Sequence, residues 1–341
     1  MINSPRHRYA RQAVLGVIGN AGQEKLAEST VLVVGCGALG STQAELLARA
    51  GLGRLIIVDR DVLELHNLQR QLLFDEGDVR ERLPKAVAAA RRLRAINSDI
   101  VIEDVVADVT PDNIAELLRP ADLIIDGTDN FETRYLLNDA AVRESKPYVY
   151  GGVLGTEGAV MAVRPDRGPC LCCVFPDPPD AQNLPTCETQ GVLNTAVAWV
   201  AALQVTETIK LLLHPSGADF KLHALDVWSG TARAFEARRN ENCVCCGKRN
   251  FDFLSGKRGS ASTVFCGRNA VQVTPEQRTT PDFKKLGERL APFGSVTVNG
   301  LVLEFTFGEQ RMIVFPDGRV LVIGTTDTAE ARSLVARYIG S

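Results

Sequence analysis

The chain has 341 residues, 45% hydrophobic and 23% charged, with a formal net charge of -3 and a pI near 5.9. This is enough apolar content for one large core, or a large core plus a smaller module. The mildly acidic balance supplies no overall basic field to draw the chain to nucleic acid or to an anionic membrane. Residues 1–11 are polar and basic without the apolar run of a signal peptide, and no stretch of about 20 residues is apolar without interruption. The expected location is the cytoplasm, with neither nucleic acid nor membrane as a partner.

In chain order, a helical lead-in ends near Ser29. The short apolar run 31–35 then reads as a strand, followed by glycines and a helix-patterned segment over 38–50. The alternation continues with a strand over 55–59, a helix over 84–97, a strand over 101–106 and a helix over 111–118. A strand over 123–126 and a helix over 130–144 complete it. Such alternation predicts a mainly parallel sheet with helices on both faces, an α/β Rossmann-like fold. From Tyr148 the texture becomes glycine-punctuated strands, a helix over 194–213 and strands over 221–227 and 231–237, expected to extend the sheet with antiparallel strands. Small and basic residues predict a linker over 251–262, dividing a domain of residues 1–250 from a small α+β module over 263–341. In that module, strands are expected over 295–307, 311–315 and 319–323, with Asp317-Gly318 as a hairpin turn and a closing helix over 328–338.

Gly35-Cys-Gly37-Ala38-Leu-Gly40 follows a strand and opens a helix, the context in which such glycines bring a backbone close to a pyrophosphate. Asp59 ends the next strand, at the distance from which a carboxylate reaches a ribose hydroxyl. Read alone, this pair suits a nicotinamide or flavin enzyme, and glycines that merely form a tight turn are the plain alternative. The segment from Asp59 to Gln71, followed by Lys85 just inside a helix, adds what a triphosphate needs. Arg70 and Lys85 can neutralise β- and γ-phosphates, and Asp61 or Asp129 can hold Mg²⁺. Singly, each of these cations reads as an ordinary solvated charge.

Nine cysteines in a cytoplasmic chain point to metal or catalysis before disulfides. Cys170-Leu-Cys172-Cys173 and Cys243-Val-Cys245-Cys246 each contain a C-x-x-C, and two such pairs make a four-thiolate zinc site when a fold joins them. Cys172 and Cys245 leave the choice of ligands open, against the alternative of unligated cysteines. Cys187 stands in a stretch rich in proline and polar residues, expected to be an exposed loop where a thiol is either reactive or inert. Cys36 and Cys266 are expected to pack as small hydrophobes.

Taken together, the sequence resembles the bacterial ubiquitin-activating-enzyme-like adenylyltransferases that include MoeB, ThiF and HesA. The resemblance covers residues 6 to about 247 and is carried by Arg8-Tyr9-Ala-Arg11-Gln12, the glycine loop, residues 59–71, Leu83-Pro-Lys85 and Asp126-Gly-Thr128-Asp129-Asn130-Phe-Glu-Thr-Arg134. It implies ATP with Mg²⁺, and places Gly35, Gly37, Ala38, Gly40, Thr128 and Asn130 about the nucleotide, with Asp59 on the ribose. It also implies that Asn67, Arg70 and Lys85 hold phosphates and that Asp129 positions Mg²⁺ or the reacting phosphate. Arg11 would reach the triphosphate, in its own subunit or from the partner in a homodimer. Ala38 stands where the family often has glycine, a mild departure if that position acts through its N–H.

The resemblance further implies a structural zinc on Cys170, Cys173, Cys243 and Cys246, and a loop cysteine, Cys187 here, that can join covalently to the carrier or to sulfur. The implied partners are a ubiquitin-like sulfur-carrier protein with a free C-terminal Gly-Gly carboxylate and a sulfur donor such as a cysteine desulfurase. Residues 263–341 resemble the extension of Gram-positive thiazole-biosynthesis adenylyltransferases. Rival readings are an NAD-dependent oxidoreductase, which leaves Arg11, Arg70, Lys85 and Asp129 unused, a scaffold that has lost its chemistry, and a tRNA-modifying adenylating relative, disfavoured by the doubled C-x-x-C and acidic balance.

Overall fold

The computed structural model describes residues 8–178, 187–214, 220–258, 264–265, 269–275 and 280–340. The chain divides into two compact units, one of residues 1–80 with 85–258 and the other of residues 81–84 with 259–341.

The first unit is built on an eight-stranded sheet. Its strands are β1 (Thr30–Val34), β2 (Arg54–Asp59), β3 (Val101–Val106), β4 (Leu123–Asp126), β5 (Tyr148–Leu154), β6 (Glu157–Val163), β7 (Lys221–Asp226) and β8 (Thr231–Glu236). They lie in the order β3-β2-β1-β4-β5-β6-β7-β8, parallel from β3 to β5 and antiparallel from β5 to β8. The expected parallel sheet with an antiparallel extension is therefore present. β1, β2 and β4 are apolar along nearly their whole length because helices cover both faces. The helix Asn194–Leu213 is long and apolar enough by composition to cross a membrane. Here Val197, Val200, Ala201 and Leu211 are buried in the protein core.

Strand order reverses between β1 and β4, the switch point where open α/β sheets form a crevice beyond the carboxyl ends of their strands. Three glycines close that end. Gly35 has φ +84° and hydrogen-bonds through its N–H to the Val58 carbonyl (2.8 Å). A Cβ at position 40 would lie 1.8 Å from the Gly35 carbonyl oxygen, and one at position 127 would lie 2.4 Å from the same atom. The backbones of the first loop, of helix Ala38–Ala50 and of the loop after β4 thus meet without side chains between them.

Of the segment expected as a linker over 251–262, residues 251–258 pack into the first unit, and residues 259–262 lie outside the described residues. Phe253 and Leu254 are buried, their backbone N–H groups donate to Asp139 Oδ2 (3.0 and 3.3 Å), and the Phe253 ring lies 5.0 Å from that of Tyr135. The aromatic and apolar residues among the small ones give this segment a core contact, so the division falls after Arg258.

The second unit contains a six-stranded sheet of β9 (Val264–Phe265), β10 (Ala270–Val273), β11 (Ser295–Val298), β12 (Leu303–Phe307), β13 (Gln310–Val314) and β14 (Val320–Ile323), ordered β11-β12-β13-β14-β10-β9. Helices Phe283–Leu290 and Thr328–Tyr338 carry residues of its core, which includes Phe305, Met312 and Val322. The strand expected over 295–307 is two strands, broken at Gly300 (φ +82°), where Asn299 Oδ1 accepts the N–H groups of Leu301 and Val302. Asp317-Gly318 makes the expected turn, with Gly318 at φ +84°. Asn299 Nδ2 also donates to the carbonyls of Glu81 and Arg82, and Arg82 pairs with Glu304 at 2.6 Å, tying residues 81–84 into this unit.

Gly40→Ala is expected to lower the melting temperature by several degrees or to prevent soluble expression, since overpacking typically costs about 1–3 kcal/mol. Gly37→Ala, whose nearest neighbour would be 3.8 Å away, should melt close to wild type. Thermal unfolding of both variants checks this.

Candidate functional site: a nucleotide crevice and a cysteine cluster

At the crevice, Asp59 ends β2 with its carboxylate held by backbone. Cys36 N–H donates to Oδ2 (2.6 Å) and Asp61 N–H to Oδ1 (2.7 Å), joining the glycine loop to the loop after β2. Burial pushes the Asp59 carboxyl above its ordinary range, and the Lys85 ammonium and the two N–H groups pull it back. Lys85 is itself buried, at the first turn of helix Lys85–Ile96, and its Nζ lies 2.9 Å from Asp61 Oδ2. Asp61 therefore meets Lys85 directly. Desolvation also pushes the buried Cys36 thiol up, in keeping with a packed, inert cysteine.

Asn67 closes the short 3-10 turn Leu65–Asn67. It is buried, with Oδ1 accepting from Glu64 N–H (3.0 Å). Arg70 follows, half-buried, and Nη1 donates to the His66 carbonyl (3.0 Å). Gln71 is buried near Gly37, and its Oε1 has no hydrogen-bond partner among the described residues. A buried amide oxygen without a partner is costly unless a ligand donor reaches it. The motif spacing alone gives Gln71 no role.

Beyond β4, the buried Asp126 fixes the loop. Thr128 donates to its Oδ1 through backbone N–H (2.9 Å) and hydroxyl (2.7 Å), and Tyr148 OH donates to Oδ2 (2.7 Å). Burial raises the Asp126 carboxyl, opposed by Arg134, whose Nη2 donates to the Thr128 carbonyl (2.9 Å). Asp129 is exposed just after this brace. Asn130 caps helix Phe131–Arg143 by accepting Thr133 N–H (2.8 Å), so its side chain serves the helix end in this structure. Sequence reasoning missed the Asp126, Arg134 and Tyr148 brace and the part played by Gly127. A glycine directly after an apolar strand, the signal used for Gly35, was available for Gly127.

Arg11 is exposed on the short helix Ala10–Ala13, in a segment anchored by hydrogen bonds from Gln12 Nε2 to the Ala50 carbonyl (2.8 Å) and from Asn97 Nδ2 to Tyr9 OH (2.7 Å). Cys187 begins helix Cys187–Gln190. Its side chain, on which the expected loop exposure falls, and the preceding residues 179–186 lie outside the described residues, as does Cys266.

The two cysteine groups come together. Sγ of Cys170 lies 3.6 Å from that of Cys243 and 4.0 Å from that of Cys173, and Cys173 Sγ lies 3.3 Å from Cys246 Sγ. All four sulfurs fall within 4.8 Å of one another. A tetrahedral zinc with bonds of about 2.3 Å needs sulfurs about 3.8 Å apart, so the donor set fits that ion. Asn240 N–H points to Cys173 Sγ (3.4 Å), a donor of the kind that supports a metal-bound thiolate.

Fold and site together define a Rossmann-type nucleotide-binding domain with a cysteine cluster set against helix Phe131–Arg143. The ThiF family matches residues 9–245, and the chain belongs to that family. It is 41% identical over 338 residues to the sulfur carrier protein ThiS adenylyltransferase of Bacillus subtilis (strain 168), covering 98% of this chain and 99% of that protein. It is 40% identical over 248 residues to the SAMP-activating enzyme E1 of Haloferax volcanii, covering 72% of this chain and 91% of that one. Among solved structures, Escherichia coli MccB with ATP resembles it in fold, with a TM-score of 0.61 at 23% identity over 70% of this chain and 74% of that one.

Cys173→Ser and Cys246→Ser are each expected to lower bound zinc and the melting temperature together, because a structural ion contributes its binding energy to folding. Elemental analysis alongside thermal unfolding tests this.

Proposed function

We propose that this chain is an ATP-dependent adenylyltransferase that activates the C-terminal Gly-Gly carboxylate of a ubiquitin-like sulfur-carrier protein, as a step towards thiazole or a related sulfur-containing cofactor. The observation that carries this reading is the similarity to the ThiS adenylyltransferase through 98% of the chain, C-terminal module included. The charged crevice at the β1–β4 switch point supports it, and a hydride-transfer reading leaves those charges without use.

The carrier carboxylate attacks the α-phosphorus of ATP. A bond forms from the carboxylate oxygen to phosphorus, the bond to the bridging oxygen breaks, and pyrophosphate leaves with the electron pair. The attacking group is already an anion, so no general base is needed and catalysis consists of positioning and charge neutralisation. The glycine loop and the N-terminus of helix Ala38–Ala50 offer backbone N–H groups to phosphate, through Gly37, Ala38 and Gly40 among others. Asp59 faces the ribose, and Asn67, Arg70 and Lys85 hold phosphate oxygens, with Lys85 turning from Asp61. Thr128 and Asn130 border the same crevice beside Asp129. Asp129, or Asp61 once released, would hold Mg²⁺, which neutralises phosphate charge when bound. Cys170, Cys173, Cys243 and Cys246 would hold a zinc ion whose role is structural.

Arg11 completes the triphosphate site in its own or a partner subunit. Homodimer formation is supported by Val14, Leu15 and Val17, all exposed immediately after it. The enzyme works in the cytoplasm, where thiols stay reduced, and a cysteine desulfurase or similar donor supplies the sulfur.

ATP–pyrophosphate exchange should depend on Mg²⁺ and on a carrier with its terminal glycines, and a carrier lacking them should be inert. Arg70→Ala, Lys85→Ala and Asp129→Ala should each reduce exchange by about 100-fold or more with folding intact, the usual cost of a lost transition-state contact. Equal exchange with the truncated carrier would overturn the reading.

Cys187→Ser separates adenylation from sulfur delivery, because attack on the α-phosphate needs no thiol. The variant is expected to keep pyrophosphate exchange while losing a thiol-sensitive covalent adduct with the carrier, seen by intact-mass spectrometry, and part of thiocarboxylate production. An unchanged adduct would make Cys187 an ordinary loop residue.

A further inference from the structure

Two cysteines of the cluster have no part in the four-thiolate site, yet they are not scattered. Cys172 and Cys245 occupy the same position within their two C-x-x-C turns, and their sulfurs form a second group with Cys170, all three within 4.8 Å of one another. Cys245 is buried and Cys172 half-buried. Asn138, fully buried, aims its side-chain amide at this pair. Nδ2 donates to Cys172 Sγ (3.4 Å) and to Cys245 Sγ (3.3 Å), while Oδ1 is held by Leu171 N–H (2.8 Å). Both amide hydrogens are thus spent on sulfur acceptors, the arrangement that outer-shell donors adopt around metal-bound thiolates. Next to it in sequence, the buried Asp139 hydrogen-bonds Cys245.

We propose that Cys170, Cys172 and Cys245 form a second thiolate site for a closed-shell thiophilic ion such as Zn²⁺, with Cys170 bridging it to the ion held by Cys170, Cys173, Cys243 and Cys246. Geometry permits it. Three sulfurs around an ion at bonds of about 2.3 Å lie about 4 Å apart, inside the spread observed here.

Charge permits it as well. Any proton that Cys172 or Cys245 carries leaves as its sulfur binds the second ion, and Cys170 uses a further lone pair to bridge. A second divalent ion offsets the charge of the thiolates that bind it, so those thiolates are not buried unpaired. Soft thiolate ligands select this class of ion over Mg²⁺ or Ca²⁺.

This inference rests on reading the first four thiols as a zinc site, and metal counting distinguishes the two. Full-length reduced protein would be titrated anaerobically with Zn²⁺, then with Cd²⁺ to follow thiolate charge-transfer absorbance, and bound metal counted by elemental mass spectrometry. Wild type should saturate at two ions per chain. Cys172→Ser, at the less buried position, should keep its fold and bind one. Cys245→Ser should behave alike if it folds, and Cys172→Ser carries the test if it does not. One ion per chain in both wild type and Cys172→Ser overturns the second site and leaves the first. No bound ion in wild type overturns both.

Discussion

The nucleotide crevice depends on one steric constraint, the meeting of three backbones at Gly35, Gly40 and Gly127. With a Cβ at position 40 placed 1.8 Å from the Gly35 carbonyl, the first loop, the helix after it and the loop beyond β4 can pack together only if none carries a side chain there. Once they do, the N-terminus of helix Ala38–Ala50 points out of the sheet between β1 and β4. The other residues of the site then take their positions from that frame. Asp59 bonds back to the loop through Cys36 N–H, Asp61 bonds to Asp59, and Lys85 bonds to Asp61.

That chain of contacts explains how the Lys85 ammonium can be buried next to the half-buried Asp61 carboxylate. Burying a single charge is costly, whereas a pair with satisfying hydrogen bonds is tolerable, and removing one member leaves the other uncompensated. The contact between Lys85 and Asp61 therefore links helix Lys85–Ile96 to the loop after β2. The brace around Asp126, with Tyr148, Thr128 and Arg134, performs the same service on the far side, holding the loop that carries Asp129.

Much of this architecture was legible because it is written in local pattern. Apolar runs alternating with helical segments forecast the parallel sheet, and the glycine loop and Asp59 marked its switch point. Residues 251–258 were not legible as core, because Phe253 and Leu254 are interleaved with polar and small residues and meet Tyr135 and Asp139, more than 100 residues earlier. The helix Phe283–Leu290 and strand β10 were missed since both are short and their burial is set by the second unit's own core. Within the site, the motif residues were readable from their spacing. That Asp61 faces Lys85, and that Asn130 faces its own helix end, are side-chain choices made by three-dimensional neighbours.

The helix Phe131–Arg143 joins the two chemical centres of the first unit. Its first turn begins at Asn130, directly after Asp129, and Arg134 within it grips the Thr128 carbonyl. One turn further along, Asn138 and Asp139 touch the cysteine cluster and the buried segment that follows it. The two cysteine groups stand 73 residues apart in sequence, with helix Asn194–Leu213 and strands β7 and β8 between them. Joining them closes a long loop, which by chain-entropy reasoning constrains the unfolded state more than a short one would. The junction is made against the same helix that positions the loop of Asp129. The cysteine cluster and the loop of Asp129 thus share one helix as their common support.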